Sequence, residues 1–202
     1  MYKADVGVTD GRITAVGKLE GTEADQEIDC GGLCLSPGWV DIHGHADWSA
    51  LDHPTGLNLL IQGCTTTVAG NCGGAPAPMV GRATELLKAG EMRSLGSHKA
   101  MHQRHPDATW SMGDYLETLE ALEPGINYVQ LAGHNQLRKC VMGDDARRAT
   151  PDEIAAMKDL LDQAIEEGAF GMSTGLVFIP GCWSDTEEVA ELASLVAKHD
   201  GM

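Results

Sequence analysis

Two histidines separated by a single glycine, His43-Gly44-His45, follow a short apolar run that begins after Pro37-Gly38. In an extended strand residues i and i+2 project to the same side, so such a pair can grip one cation. The pattern alone leaves a second reading open, in which both are polar core or surface residues. Cys72 lies in the string Gly70-Asn71-Cys72-Gly73-Gly74, after a second β-prone run. A thiolate is a good zinc ligand, although a lone thiol is also commonly an inert small hydrophobe. The flanking glycines imply a sharp turn with close backbone approach. His134 follows a third run, in Leu131-Ala132-Gly133-His134-Asn135, and Ser173-Thr174 end a fourth. Polar candidates therefore fall one after another at the carboxyl ends of consecutive strands, the face on which (β/α) barrels carry their active sites. Asp47 could orient a ligand imidazole from behind or cap a loop. Arg138, Arg147 and Arg148 offer charge to a substrate carboxylate or to surface ion pairs, with Arg138 best placed. Phe178 could line a pocket or pack a core. His98, His102 and His105 share a helical face but read as a solvated surface helix.

The elements that must position these residues follow from periodicity. Residues 4–8 and 12–17 are β-prone runs separated by Thr9-Asp10-Gly11, a hairpin signal, and a third run covers 33–36. These predict a small β-sandwich remnant over residues 1–37. From Gly38 the pattern alternates: a buried strand over 39–43, a helix over 55–62, a strand over 65–70, helices over 84–95 and 112–122, and a strand over 126–132. A helix over 151–167 is the clearest, with Thr150 as N-cap, Pro151 at its first position and Gly168 as its stop. A strand over 169–173 and a helix over 185–199 complete the series. Residues 81–107, rich in charge and histidine, read as a surface excursion. Alternation of this kind predicts an α/β fold, with the first four βα units of a (β/α)8 TIM barrel over 38–202.

The composition narrows the partners. Fourteen basic residues stand against 30 acidic ones, a net charge of −16, which disfavours nucleic acid and anionic membranes. The N-terminal MYKADVGVTD lacks the apolar core of a secretory signal, and no apolar run reaches the roughly 18 residues of a membrane span. A cytoplasmic protein with its six cysteines reduced is the expectation. Cys30 and Cys34, near the β-domain, and Cys64, Cys140 and Cys182 carry no further signal. Trp39 and Trp48 read as packing.

Several strings bear a family resemblance. PGWVDIHGHADW resembles the opening barrel strand of the amidohydrolase superfamily. GNCGGAPAP is more specific and looks like the second-strand motif of D-aminoacylases, the N-acyl-D-amino-acid deacylases. NYVQLAGHNQLR and VMGDDARRATPDEIAAMKDLLDQAIEEGAFGMSTGL match the same family in order and spacing. The resemblance implies one or two Zn2+ ions, with His43 and His45 at the more exposed position and Cys72 contributing to both. There the cysteine takes the place of the bridging carboxylate or carboxylated lysine of relatives, and residues 168–173 indeed contain no lysine. The implied activity is hydrolysis of the amide of small-molecule N-acyl-D-amino acids by metal-activated water, giving a carboxylate and a free D-amino acid. His134, Arg138, Ser173 and Phe178 are the substrate-binding candidates. The family also draws two histidines from the fifth and sixth strands and a general acid/base aspartate from the eighth, all beyond the end of this chain. A fragment without catalysis of its own is therefore expected. Two rivals are a cyclic-amide hydrolase of the dihydropyrimidinase or dihydroorotase kind, which calls for a lysine on the fourth strand, and a non-catalytic remnant.

Overall fold

The structure, a computed structural model, describes residues 3–92 and 96–202. Contacts divide the chain into two units, Met1–Pro37 and Gly38–Met202. In the first, β1 (Asp5–Thr9) and β2 (Arg12–Gly17) form an antiparallel hairpin. Asp10 and Gly11 both take positive φ, 51° and 71°, which matches the primed turn that suits strand twist. The third run does not form a strand: Leu33 and Leu35 are 74% and 70% exposed. The unit is thus a hairpin with irregular chain rather than a sandwich remnant. A short apolar run ending at a proline has nothing to pair with among the described residues.

The second unit is α/β. Strands β3 (Trp39–Asp41), β4 (Cys64–Ala69) and β5 (Asn127–Gln130) lie parallel in that order. After Leu131 the third segment resumes as β6 (Ala132–Gly133), which pairs in parallel with β7 (Met172–Ser173). The backbone of Met202 bonds to Phe170 and Met172 on the far side of β7. Each parallel step requires a crossover, and helices supply it. They are α1 (Leu57–Leu60), α2 (Gly81–Lys88), α3 (Gly96–Arg104), α4 (Met112–Glu120), α5 (His134–Met142), α6 (Pro151–Glu166) and α7 (Thr186–Lys198).

Capping chemistry sets several boundaries. Thr150 and Glu153 form a reciprocal capping box, with Pro151 at the first turn. Ser111 and Asp114 do the same for α4, and Asp185 caps α7. Helices α2, α5, α6 and α7 pack in sequence. Their apolar faces join Ala132 and Ala169 in one buried cluster with Leu137, Met157, Leu161 and Leu192.

Three expectations change. The excursion over 81–107 is not confined to the surface: α2 packs on α5, and Ala83 and Met101 are fully buried. Helix α5 was not foreseen. The first barrel-type strand is not buried either, because β3 has no partner on its outer side among the described residues, and Trp39, Val40 and Ile42 are 62%, 54% and 75% exposed.

Candidate metal centre

Strand β3 ends at Asp41, so His43 and His45 lie in the following bend rather than in the extended strand expected from sequence. The Asp41 carboxylate accepts the backbone N–H of His43 at 3.1 Å and turns the chain there. Gly44 N–H then donates to the Val68 carbonyl at 2.9 Å. A Cβ at Gly44 would stand 2.3 Å from Thr67 Oγ1, so only glycine fits between the two histidines. Their rings meet edge to face with centroids 5.6 Å apart.

Cys72 reaches the same place from the end of β4. Gly70, Cys72 and Gly73 all adopt left-handed backbone, with φ of 82°, 57° and 73°. For a side-chain-bearing residue this conformation costs about 1–2 kcal/mol, so its surroundings must enforce it. Asn71, buried, donates its amide to the carbonyls of Val68 at 2.8 Å and Gly44 at 3.1 Å. The first N–H groups of α5, from Asn135 and Gln136, converge on the Gly73 carbonyl at 2.8 and 3.2 Å. A Cβ at Gly175 would stand 2.0 Å from the Cys72 carbonyl oxygen, so the chain after β7 lies directly on the turn.

The outcome is a cluster in which one ligand atom from each of His43, His45 and Cys72 lies within 4.8 Å of the others. His43 Nε2 and Cys72 Sγ are 3.3 Å apart. A tetrahedral zinc ion, bonded at about 2.0–2.1 Å to nitrogen and about 2.3 Å to sulfur, needs such donors roughly 3.5 Å apart. Two imidazoles and a thiolate are also the donor types that suit this ion. The cluster is open to solvent on the histidine side, beside a cavity of 830 Å³ lined by Asp41, Gly44, His45, His53, Leu57 and Tyr128.

The other candidates are placed differently. Asp47 is fully buried, and its carboxylate accepts from Gln130 Nε2 at 3.3 Å and from the Gly70 backbone. Burial pushes this carboxyl up to about 6, against the opposing pull of these hydrogen bonds. His134 and Arg138 are also fully buried, and they turn to Glu188 of α7 instead of an open pocket. His134 Nε2 lies 2.7 Å from Glu188 Oε1, Arg138 grips both Glu188 oxygens, and its Nη2 donates to the Arg147 carbonyl at 2.8 Å. The physical reason is direct: a buried guanidinium and carboxylate must be paired. The Ser173 hydroxyl donates to the Gly70 carbonyl and accepts the Gly73 N–H at 3.0 Å. Phe178 is 53% exposed in an apolar stretch just past Gly175. Arg147 and Arg148 form ion pairs with Glu153 and Asp185 at 2.6 and 3.2 Å. His102 is exposed on α3, while the side chain of His98 lies outside the described residues. Glu188, near the start of α7, is a buried partner that local sequence does not mark. Asn71, wedged between a strand and three glycine-rich positions, carried a usable signal as a side-chain bridge.

Known proteins are similar to this chain in sequence and fold. Residues 26–201 match the Amidohydrolase family. The D-aminoacylase of Alcaligenes xylosoxydans xylosoxydans is 36% identical over 200 residues, which are 99% of this chain and 39% of that protein. A solved D-aminoacylase, studied for the functional role of its binuclear metal centre, superposes with a TM-score of 0.83 at 38% identity, over 98% of this chain and 40% of its own. The N-acyl-D-glutamate deacylase of Bordetella bronchiseptica, solved with zinc and a phosphonate mimic of the tetrahedral intermediate, gives 0.81 at 35% identity, over 99% and 40%. The chain therefore spans about two fifths of the length of these relatives. With its paired histidines and its cysteine turn on adjacent parallel strands, the chain belongs to the amidohydrolase family.

Proposed function

We propose that His43, His45 and Cys72 hold zinc and that the site serves hydrolysis of the amide bond of N-acyl-D-amino acids. The observation that carries this reading is the convergence of two imidazoles and one thiol within 4.8 Å at the ends of neighbouring parallel strands. The relatives' zinc and binuclear metal centre support it. When bound, zinc would supply an acidified water and a polarised carbonyl, at a position left open beside the histidines. The chain's own part is to hold the donors in place and keep the thiol aimed at them. Phe178, at the exposed apolar stretch beside Cys72, stays a candidate for substrate contact. His134, Arg138 and Ser173 stay candidates only through the elements they brace, since each is occupied by protein partners.

Two further points belong to the same reading. The parallel order β3, β4, β5/β6, β7 with helical crossovers supports four βα units of an eight-stranded barrel. Reduced thiols at Cys64, Cys72, Cys140 and Cys182 suit a cytoplasmic setting. The cyclic-amide rival calls for a lysine on the fourth strand, and residues 168–173 carry none.

The test is metal analysis of the purified protein, followed by assay of N-acetyl-D-amino acids with zinc supplied. Zinc retained through dialysis is expected of this chain, and zinc-dependent release of D- but not L-amino acid is expected where the family's downstream strands complete the site. Absence of bound zinc, or release from L-substrates or cyclic amides instead, would overturn the reading.

A further inference from the structure

We propose that Ser173 is a positioning residue for the Cys72 thiolate. This rests on the zinc reading of the site. The Ser173 side chain comes from β7, one hundred residues along the chain from the turn it touches. Its hydroxyl donates to the Gly70 carbonyl and accepts the Gly73 N–H at 3.0 Å, so it spans the turn on both sides of Cys72. A hydroxyl carries one donor, and here that donor is spent on the turn. Ser173 is thus fitted to hold backbone rather than substrate.

What it holds has a direct bearing on the sulfur. Cys72 sits at φ of 57° with glycines at 82° and 73° nearby. A left-handed cysteine between flexible glycines relaxes unless hydrogen bonds fix both flanks. Relaxation of φ by a few tens of degrees swings the Cβ–Sγ bond away from His43 Nε2, now 3.3 Å off. The carbonyl of Cys72 is confined by Gly175, and the Gly73 carbonyl by α5. Among the described residues, Ser173 is the side chain that bonds to the turn on both sides of the cysteine, at Gly70 and Gly73. Groups that orient a metal ligand in this way typically contribute about 10–100-fold in metal affinity.

The experiment compares the parent, S173A and S173T by far-ultraviolet circular dichroism, by zinc affinity in chelator competition, and by the thiolate-to-cobalt charge-transfer band after cobalt loading. S173A should keep its secondary structure, bind zinc about 10–100-fold more weakly and lose much of the charge-transfer intensity. S173T, which keeps the hydroxyl, should stay near the parent. Parental affinity and band in S173A would overturn the proposal, as would equal impairment in folded S173A and S173T. If S173A fails to fold, S173T alone decides: parental binding upholds the hydroxyl's role, and weakened binding in a folded chain refutes it. A parent chain without a thiolate band would instead remove the zinc reading itself.

Discussion

At the scale of single residues, the site depends on three donors and on the small residues that let them meet. Cys72→Ser should lower zinc content to well below one equivalent, read by metal analysis after dialysis, because a hydroxyl stays protonated where a thiol becomes an anionic donor. Retention of full zinc would remove Cys72 from the site. Gly44→Ala should cost about 1–3 kcal/mol in urea unfolding and also weaken metal binding, since its Cβ would meet Thr67 Oγ1 at 2.3 Å. The three residues of the cluster were legible as candidates, because a histidine pair and a glycine-flanked cysteine each follow a strand-like run. The local geometry was not: the histidines converge from a bend set by Asp41, and not from strand alternation. The orientation of His134 and Arg138 was equally hidden, because their partner Glu188 lies 54 and 50 residues further on. Local sequence carries no mark of a contact at that separation.

At the scale of elements, helix boundaries with a chemical signature were readable and those without one were not. Thr150 announces α6, and in the structure Ser111 and Asp185 cap α4 and α7 in the same way. Helix α5 starts straight from Gly133 with no side-chain cap, and buries His134, Asn135, Gln136 and Arg138. The Glu188 pair lies within its buried face, so Glu188→Ala should cost about 3–5 kcal/mol in denaturant unfolding, as it leaves a guanidinium and an imidazole buried without their partner. Helix α6 offers a pH test. The Arg147 hydrogen bond, opposed by partial burial and aided by the cap at Thr150, holds the Glu153 carboxyl at about 2, below its usual 4.5. A carboxyl lowered on folding stabilises the protein above its unfolded value, and that contribution fades as pH falls from about 4.5 toward 2. Arg147 is 45% exposed, so solvent screens the pair and the effect is modest. Glu153→Gln should flatten the stability profile across that window, and an unchanged acid slope would contradict the pairing.

At the scale of the molecule, the parallel order of the strands places the candidate donors of β3 and β4 at one end of the sheet, with the Ser173 brace arriving from β7. Alternating patterns made this order readable. The solvent exposure of β3 was not, because an apolar run of its kind reads as buried whatever its neighbours are. Zinc bound to the folded state alone should stabilise it by mass action, about 2.7 kcal/mol at a hundredfold excess over Kd, or roughly 5–10 °C in Tm. The most direct test is X-ray absorption at the zinc edge of the loaded protein. A zinc site built on Cys72 predicts one sulfur near 2.3 Å together with nitrogen donors at about 2.0–2.1 Å. A shell of oxygen and nitrogen alone, without sulfur, would contradict it.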